Sequence, residues 1–136
     1  MNKLKVIQLL PELNIGGVER GTRDFSEVLI NQGHESIVIS NGGIFEKDII
    51  DHGGKHIKIP IHKKSFFSLL LSKQLKLIYE QEKPDIVHVR SRMPAWINYY
   101  AFKKLNKKPI LVSTFHGLYS TPLYSQVMSK VDHTIA

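Results

Sequence analysis

The sequence predicts an α/β domain built on a doubly wound parallel sheet. Short runs rich in Ile and Val alternate with longer amphipathic segments along all 136 residues. Several short runs are apolar throughout, as expected of strands covered on both faces. Gly and Pro fall between the runs, where strands and helices must turn. Six strands separated by helices, joined by right-handed crossovers, satisfy all three observations.

Each element has its own local reason. Residues 4–10 read as a buried strand. Residues 18–32 read as an amphipathic helix whose apolar side carries Val18, Phe25, Val28 and Leu29, stopped by Gly33. Residues 34–40 form a second strand, Asn41, Gly42 and Gly43 a turn, residues 45–52 a short helix, and residues 56–61 a third strand. A long helix over residues 65–82 takes Ser65 as its N-cap and ends at Lys83 and Pro84, before a strand at 85–90. Pro94 suits the first turn of a helix reaching about Asn106, and Pro109 opens a strand over 110–115. Pro122 opens a further helix ending near Lys130, and residues 133–136 begin a sixth strand.

Composition bounds the function classes. Hydrophobic residues make up 42% and charged residues 23%, the balance of a folded globular domain. One domain over residues 1–136 is expected: no solenoid repeat, low-complexity tract or Gly/Ser linker divides it. With no cysteine, disulfides, thiolate zinc sites and thiol redox chemistry are excluded, and a reducing cytoplasmic location is compatible. The apolar run before Pro11 is too short for a signal-peptide core, and no run approaches the roughly 20 residues that span a bilayer. Any membrane contact is therefore expected to be peripheral. The final strand stops at Ala136 without a finishing turn or helix, so the chain reads as cut from something longer.

Net charge is +7 and unevenly spread: residues 53–79 carry six lysines and no acid. Lys63, Lys64, Lys73 and Lys76 flank the broad apolar band of the 65–82 helix, which includes Phe66, Phe67, Leu70 and Leu77. Such a helix either rests on an anionic membrane surface or is buried with its lysine stems reaching out to water. Nucleic acid is not an expected partner, because the basic stretch has no recognition motif. Lys103, Lys104, Lys107 and Lys108 follow the next helix, where cations suit the negative end of its dipole.

In a parallel sheet, ligands sit beyond the carboxyl ends of the strands, which singles out three loops. The first delivers Gly16 and Gly17 to a helix start, where bare backbone N–H groups can receive a phosphate or a sugar hydroxyl. A tight turn alone also explains the pair. The spacing fits neither the dinucleotide fingerprint nor a P-loop, so both readings fall. Glu19, in the first turn, is a candidate substrate contact, although the helix dipole already favours an acid there. The second loop brings Arg90, Ser91 and Arg92 to the crevice, with Trp96 behind them. The arginines bind an anionic group or pair with an acid across the sheet; Trp96 is expected in the core. The third loop begins at His116 and Gly117, where an imidazole can contact a sugar hydroxyl or stabilise developing charge. The other histidines carry no metal-ligand spacing, so no metal is expected.

The joint order of these segments resembles glycosyltransferase family 4, retaining enzymes of the GT-B fold with two facing Rossmann-like domains. Its carriers are the run from Leu10 to Gly21, then Asn31-Gln32-Gly33-His34-Glu35, Pro84 to Arg92, Ser113-Thr114-Phe115-His116-Gly117, and Val131 to Ala136. The runs Arg90-Ser91-Arg92-Met93-Pro94-Ala95-Trp96 and Thr114-Phe115-His116-Gly117 are similar to a bacterial subgroup that builds lipopolysaccharide or other cell-envelope glycans.

The resemblance implies an N-terminal, acceptor-side domain of an enzyme using a nucleotide-sugar donor, with a glycan or lipid-linked acceptor. It implies metal-independent transfer with retention, working at the inner face of the plasma membrane. It places Gly16 and Gly17 near the donor phosphates and His116 beside the transferred sugar. The C-terminal domain that binds most of the donor is absent from these residues, so the isolated chain is expected to be inactive. The competing expectation is a non-catalytic remnant, or a half-domain that binds a membrane or partner.

Overall fold

The computed structural model describes residues 3–61 and 70–114 and, by backbone alone, residues 92, 93 and 133–135. In chain order the elements are β1 (Lys5–Leu9), α1 (Gly17–Asn31), β2 (Glu35–Ser40), α2 (Glu46–Asp51), β3 (Lys55–Lys58), α3 (Leu71–Glu82), β4 (Ile86–Val89), α4 (Arg92–Lys103), β5 (Ile110–Thr114) and β6 (His133–Ile135). The strands form one sheet in the order β3-β2-β1-β4-β5-β6, and every pairing is parallel. This is the Rossmann-like doubly wound arrangement expected from the alternating pattern.

Strand alternation divides the sheet between two helix layers. Ile7, Leu9, Ile37, Ile39, Val87 and Val89 face one way and join Leu75 and Tyr79 of α3 with Ile97 and Ala101 of α4 in the main core. Each of the fully buried Ile and Leu side chains contributes about 1.5–3 kcal/mol relative to an exposed one. On the opposite face, Leu10, Leu13, Val38, Phe45 and Ile49 form a smaller core, with Val18 packed against it.

The helix ends are locally encoded. Gly33, at φ +86°, takes the left-handed conformation that closes α1, and the His34 N–H reaches back to the Leu29 carbonyl at 2.9 Å. Lys83 closes α3 in the same conformation at φ +51°, directly before Pro84.

The expected apolar side of α1 is corrected by the structure. Phe25 and Val28 are 37% and 52% exposed, whereas the buried residues are Thr22, Ser26 and Leu29. The reason lies in the sheet, which presents buried Gln8, Ser36 and His88 to this face. Hydrophobic patterning locates an apolar seam, but α1 docks partly through hydrogen bonds. Ser26 Oγ lies 2.6 Å from Ser36 Oγ and 2.9 Å from His52 Nε2, and Gln8 Nε2 donates to the Thr22 carbonyl at 3.2 Å.

The third strand is shorter than expected: it ends at Lys58, although Ile59 and Ile61 remain fully buried beyond it. Ser65, Phe66 and Phe67, and the helix expected over 122–130, lie outside the described residues.

Candidate functional site

The carboxyl ends of β1 and β4 lie side by side, with Leu9 paired to Val89. From there the chain leaves toward opposite faces, into α1 after β1 and into α4 after β4. That divergence opens a crevice at the centre of the sheet edge.

The loop over residues 11–16 is held by the neighbouring loop. Leu13 donates its N–H to the Gly42 carbonyl at 3.0 Å, Phe45 donates to the Leu13 carbonyl at 3.0 Å, and Asn41 donates to the Pro11 carbonyl at 2.9 Å. Leu10 and Leu13 are buried beneath it, so its position is fixed by both packing and backbone bonds. Gly43, at φ +153°, completes the junction: a Cβ there would lie 2.5 Å from the Leu13 carbonyl carbon.

This clamp presents the glycine pair at the start of α1. Gly16 is extended and precedes the helix without any side-chain cap, and Gly17 opens it with nothing within 4 Å of where a Cβ would stand. The first N–H groups of α1 thus lie at the positive end of the helix dipole without a side-chain cap. The Glu19 carboxylate folds back against Gly16, where a Cβ would collide with Oε2. Exposed Ile15, at 71%, stands at the tip of the same loop.

Across the crevice, Arg90 follows β4 and donates its backbone N–H to the Leu9 carbonyl at 2.9 Å. Its guanidinium is half-buried and donates from Nε to Gln8 Oε1 at 2.8 Å. One terminal nitrogen lies 3.8 Å from the position a Cβ on Gly21 would take. Gly21 stands four residues into α1 from Gly17, about 6 Å along the axis, so the guanidinium reaches the helix's first turns. Burial pushes its pKa down from the usual arginine value. Among the described residues no carboxylate lies within ion-pair distance of Arg90. Its partner among the described residues is a neutral amide.

Ser91 is the N-cap residue of α4, extended at φ −159°, and its carbonyl accepts from Ala95 N–H at 3.1 Å while its hydroxyl makes no cap bond. Arg92 opens α4; its side chain, together with His116 and Gly117, lies outside the described residues. Trp96 packs against the main core, as expected, and stacks on Tyr100 at a centroid distance of 6.3 Å.

The basic stretch is partly neutralised by acids from elsewhere. Lys55 pairs with Glu82 at 2.7 Å and Lys76 with Glu80 at 3.1 Å, whereas Lys73 is exposed beside Leu70 and Leu77, which are 55% and 64% exposed. Lys63 and Lys64 lie outside the described residues. No helix among the described residues is long and apolar enough to cross a membrane. His34, His52, His56 and His88 are engaged with Leu4 N–H, Ser26, Ser40 and Thr114 respectively. No group of three His, Asp or Glu among the described residues is placed to hold a metal ion.

Two residues beside Arg90 carry no motif in the sequence: Gln8, which accepts from its Nε, and Gly21, whose Cβ position lies 3.8 Å from a terminal nitrogen. The available signal was an amide inside the otherwise apolar run from Val6 to Leu10.

Comparison with known proteins identifies the family and the fold. Residues 15–136 match the family described as Glycosyltransferase Family 4. A crystal structure of a glycosyltransferase from Rickettsia africae ESF-5 superposes with a TM-score of 0.77 at 39% identity, covering 90% of this chain and 32% of that one. A Listeria monocytogenes structure assigned as a UDP-N-acetylglucosamine 2-epimerase superposes with a TM-score of 0.62 at 18% identity, covering 98% of this chain and 39% of its own, and so shares the fold. The chain thus spans 32% and 39% of the length of these two solved proteins. No curated protein matches.

Proposed function

Because the chain belongs to glycosyltransferase family 4, we propose that it is the acceptor-side domain of a retaining glycosyltransferase that moves a sugar from a nucleotide-sugar donor to a cell-envelope acceptor. The observation that supports this reading is an uncapped helix start at Gly16 and Gly17 with the guanidinium of Arg90 against the same helix at Gly21. Backbone N–H groups, a helix dipole and an arginine without a carboxylate partner among the described residues form an environment for phosphate.

In this reading the glycine pair and Arg90 take phosphate oxygens, with Arg92 beside them. Stabilising the diphosphate as it departs lowers the barrier to breaking the glycosidic bond. Glu19 and Ser91 receive sugar or acceptor hydroxyls. His116, followed by Gly117, stands beside the transferred sugar and stabilises charge as it develops. Transfer needs no metal, since the cations of the site and the helix start meet the leaving charge. A second domain supplies most of the donor contacts.

The acceptor is lipopolysaccharide-type or lipid-linked, which places the enzyme at the cytoplasmic face of the inner membrane. Exposed Leu70, Leu77 and Lys73 on α3 support a peripheral contact with anionic lipid.

The test is transfer by the full-length gene product, screened against UDP-, GDP- and ADP-hexoses by release of the nucleoside diphosphate. His116→Ala is expected to abolish release while leaving the circular dichroism spectrum and thermal midpoint unchanged. Unchanged turnover in that variant overturns the role of His116. Absence of release with every donor favours the non-catalytic half-domain.

A further inference from the structure

We propose that Gln8 is a positioning residue for Arg90: a buried neutral amide in the central strand aims the guanidinium into the crevice and leaves its charge available to a phosphate. The inference rests on the anion-binding reading of Arg90.

Gln8 is fully buried in the middle of β1. A buried amide costs stability unless both ends are satisfied, and here both are. Nε2 donates to the Thr22 carbonyl at 3.2 Å, and Oε1 accepts from Arg90 Nε at 2.8 Å. The orientation is therefore determined. Turning the amide over would set its NH2 group against the Arg90 N–H and its oxygen against the Thr22 carbonyl. Thr22 is itself fixed, fully buried with Oγ1 donating to the Val18 carbonyl at 2.8 Å.

A carboxylate would hold the guanidinium just as firmly, but it would cancel the charge that a ligand anion needs. Gln8 takes only Nε, and the terminal nitrogens make no hydrogen bond to a described residue. Gly21 completes the arrangement, since one of these nitrogens lies 3.8 Å from the point where a side chain on α1 would begin. Strand β1, helix α1 and strand β4 thus meet at one guanidinium.

The test is a double-mutant cycle in the full-length protein, with inorganic pyrophosphate as the probe and calorimetry as the readout. Gln8→Met keeps the length of the side chain and removes the acceptor. It is expected to weaken pyrophosphate about tenfold, the scale of losing a hydrogen bond to a charged group, and to change nothing further in an Arg90→Ala background. Equal losses in both backgrounds, or no loss, overturn the positioning role. Arg90→Lys keeps the charge and leaves the buried amide intact, so it serves if Gln8→Met does not fold. About tenfold weaker binding is expected, and unchanged binding overturns the proposal. Wild-type affinity in Arg90→Ala itself overturns the underlying anion-site reading instead.

Discussion

The carboxylate of Glu19 folds back over Gly16, so that a methyl group on residue 16 would collide with Oε2 of a side chain in the first turn of the same helix. Gly17, the next residue, has open space where its side chain would stand. The two glycines therefore answer to different constraints, although the sequence shows them only as a pair. One makes room for an acid; the other leaves a helix start uncovered.

Gly16→Ala and Gly17→Ala should separate these roles. The obstacle in Gly16→Ala is the far end of a flexible side chain, so folding should survive with a change under about 1 kcal/mol. Glu19 must leave its position, and glycosyl transfer should fall on the order of tenfold through misplaced substrate contacts. Gly17→Ala should gain about 0.5–1 kcal/mol in denaturant unfolding from helix propensity, yet lose phosphate affinity because the methyl group covers the helix start. Calorimetry with pyrophosphate, alongside urea titration of each variant, checks both. Equal behaviour of the two variants would contradict the distinction.

Gly43 should be the least replaceable glycine in the site region. Its φ of +153° disfavours any side chain, and a Cβ would lie 2.5 Å and 2.6 Å from backbone atoms of Leu13. Backbone cannot swing aside as the Glu19 carboxylate can. Gly43→Ala is expected to cost roughly 2–4 kcal/mol and to loosen the loop that presents Gly16. Denaturant unfolding measures the first effect, and hydrogen exchange at Leu13 and Phe45, whose N–H groups tie the two loops, measures the second.

The fold was legible because its periods were clean. Val, Ile and Leu runs mark the parallel strands, and Gly33 and Pro84 mark ends that the backbone then adopts. The candidate site was legible by position alone: Gly16, Gly17 and Arg90 follow strands, and strand ends in such a sheet are where ligands are expected. What remained hidden was contact chemistry. The buried face of α1 differs from the apolar pattern because Ser26 is satisfied by Ser36 and His52, distant in sequence, and Thr22 by the Val18 carbonyl one turn back, whereas Phe25 edges against His88 at a centroid distance of 6.4 Å while staying 37% exposed. Gln8 was missed for the same reason, since its partner lies 82 positions away.

His56 makes the fold sensitive to mild acid. Burial holds its pKa below the ordinary histidine value, Lys58 pushes in the same direction, and Glu46 opposes both. A folded-state pKa below the unfolded one means that the native state prefers the neutral ring. The stabilisation is fully present above the unfolded value near 6.5 and is lost as pH falls through the folded value. His56→Gln should flatten the decline of stability with acid below pH 6.5, measured by urea unfolding across a pH series. A decline as steep as in the parent protein would rule out this histidine as its source.

Tyr79 and Asn98 join α3 to α4 inside the main core, the tyrosine hydroxyl donating to Asn98 Oδ1. Asn98 is 1% exposed, and its Nδ2 has no partner among the described residues. Burial alone raises the Tyr79 pKa well above the ordinary tyrosine value, so the hydroxyl stays protonated and remains a donor. Removing only the donor leaves a second amide atom buried without a partner, and Tyr79→Phe should cost about 1–3 kcal/mol. Replacing both groups removes the polar requirement altogether. Tyr79→Phe combined with Asn98→Leu should therefore recover most of the loss, because an apolar pair of similar volume asks for no hydrogen bond. Equilibrium unfolding of the three variants provides the cycle. A double variant less stable than Tyr79→Phe alone would show that the space around Asn98 cannot accept a leucine, and that the amide is held there by shape.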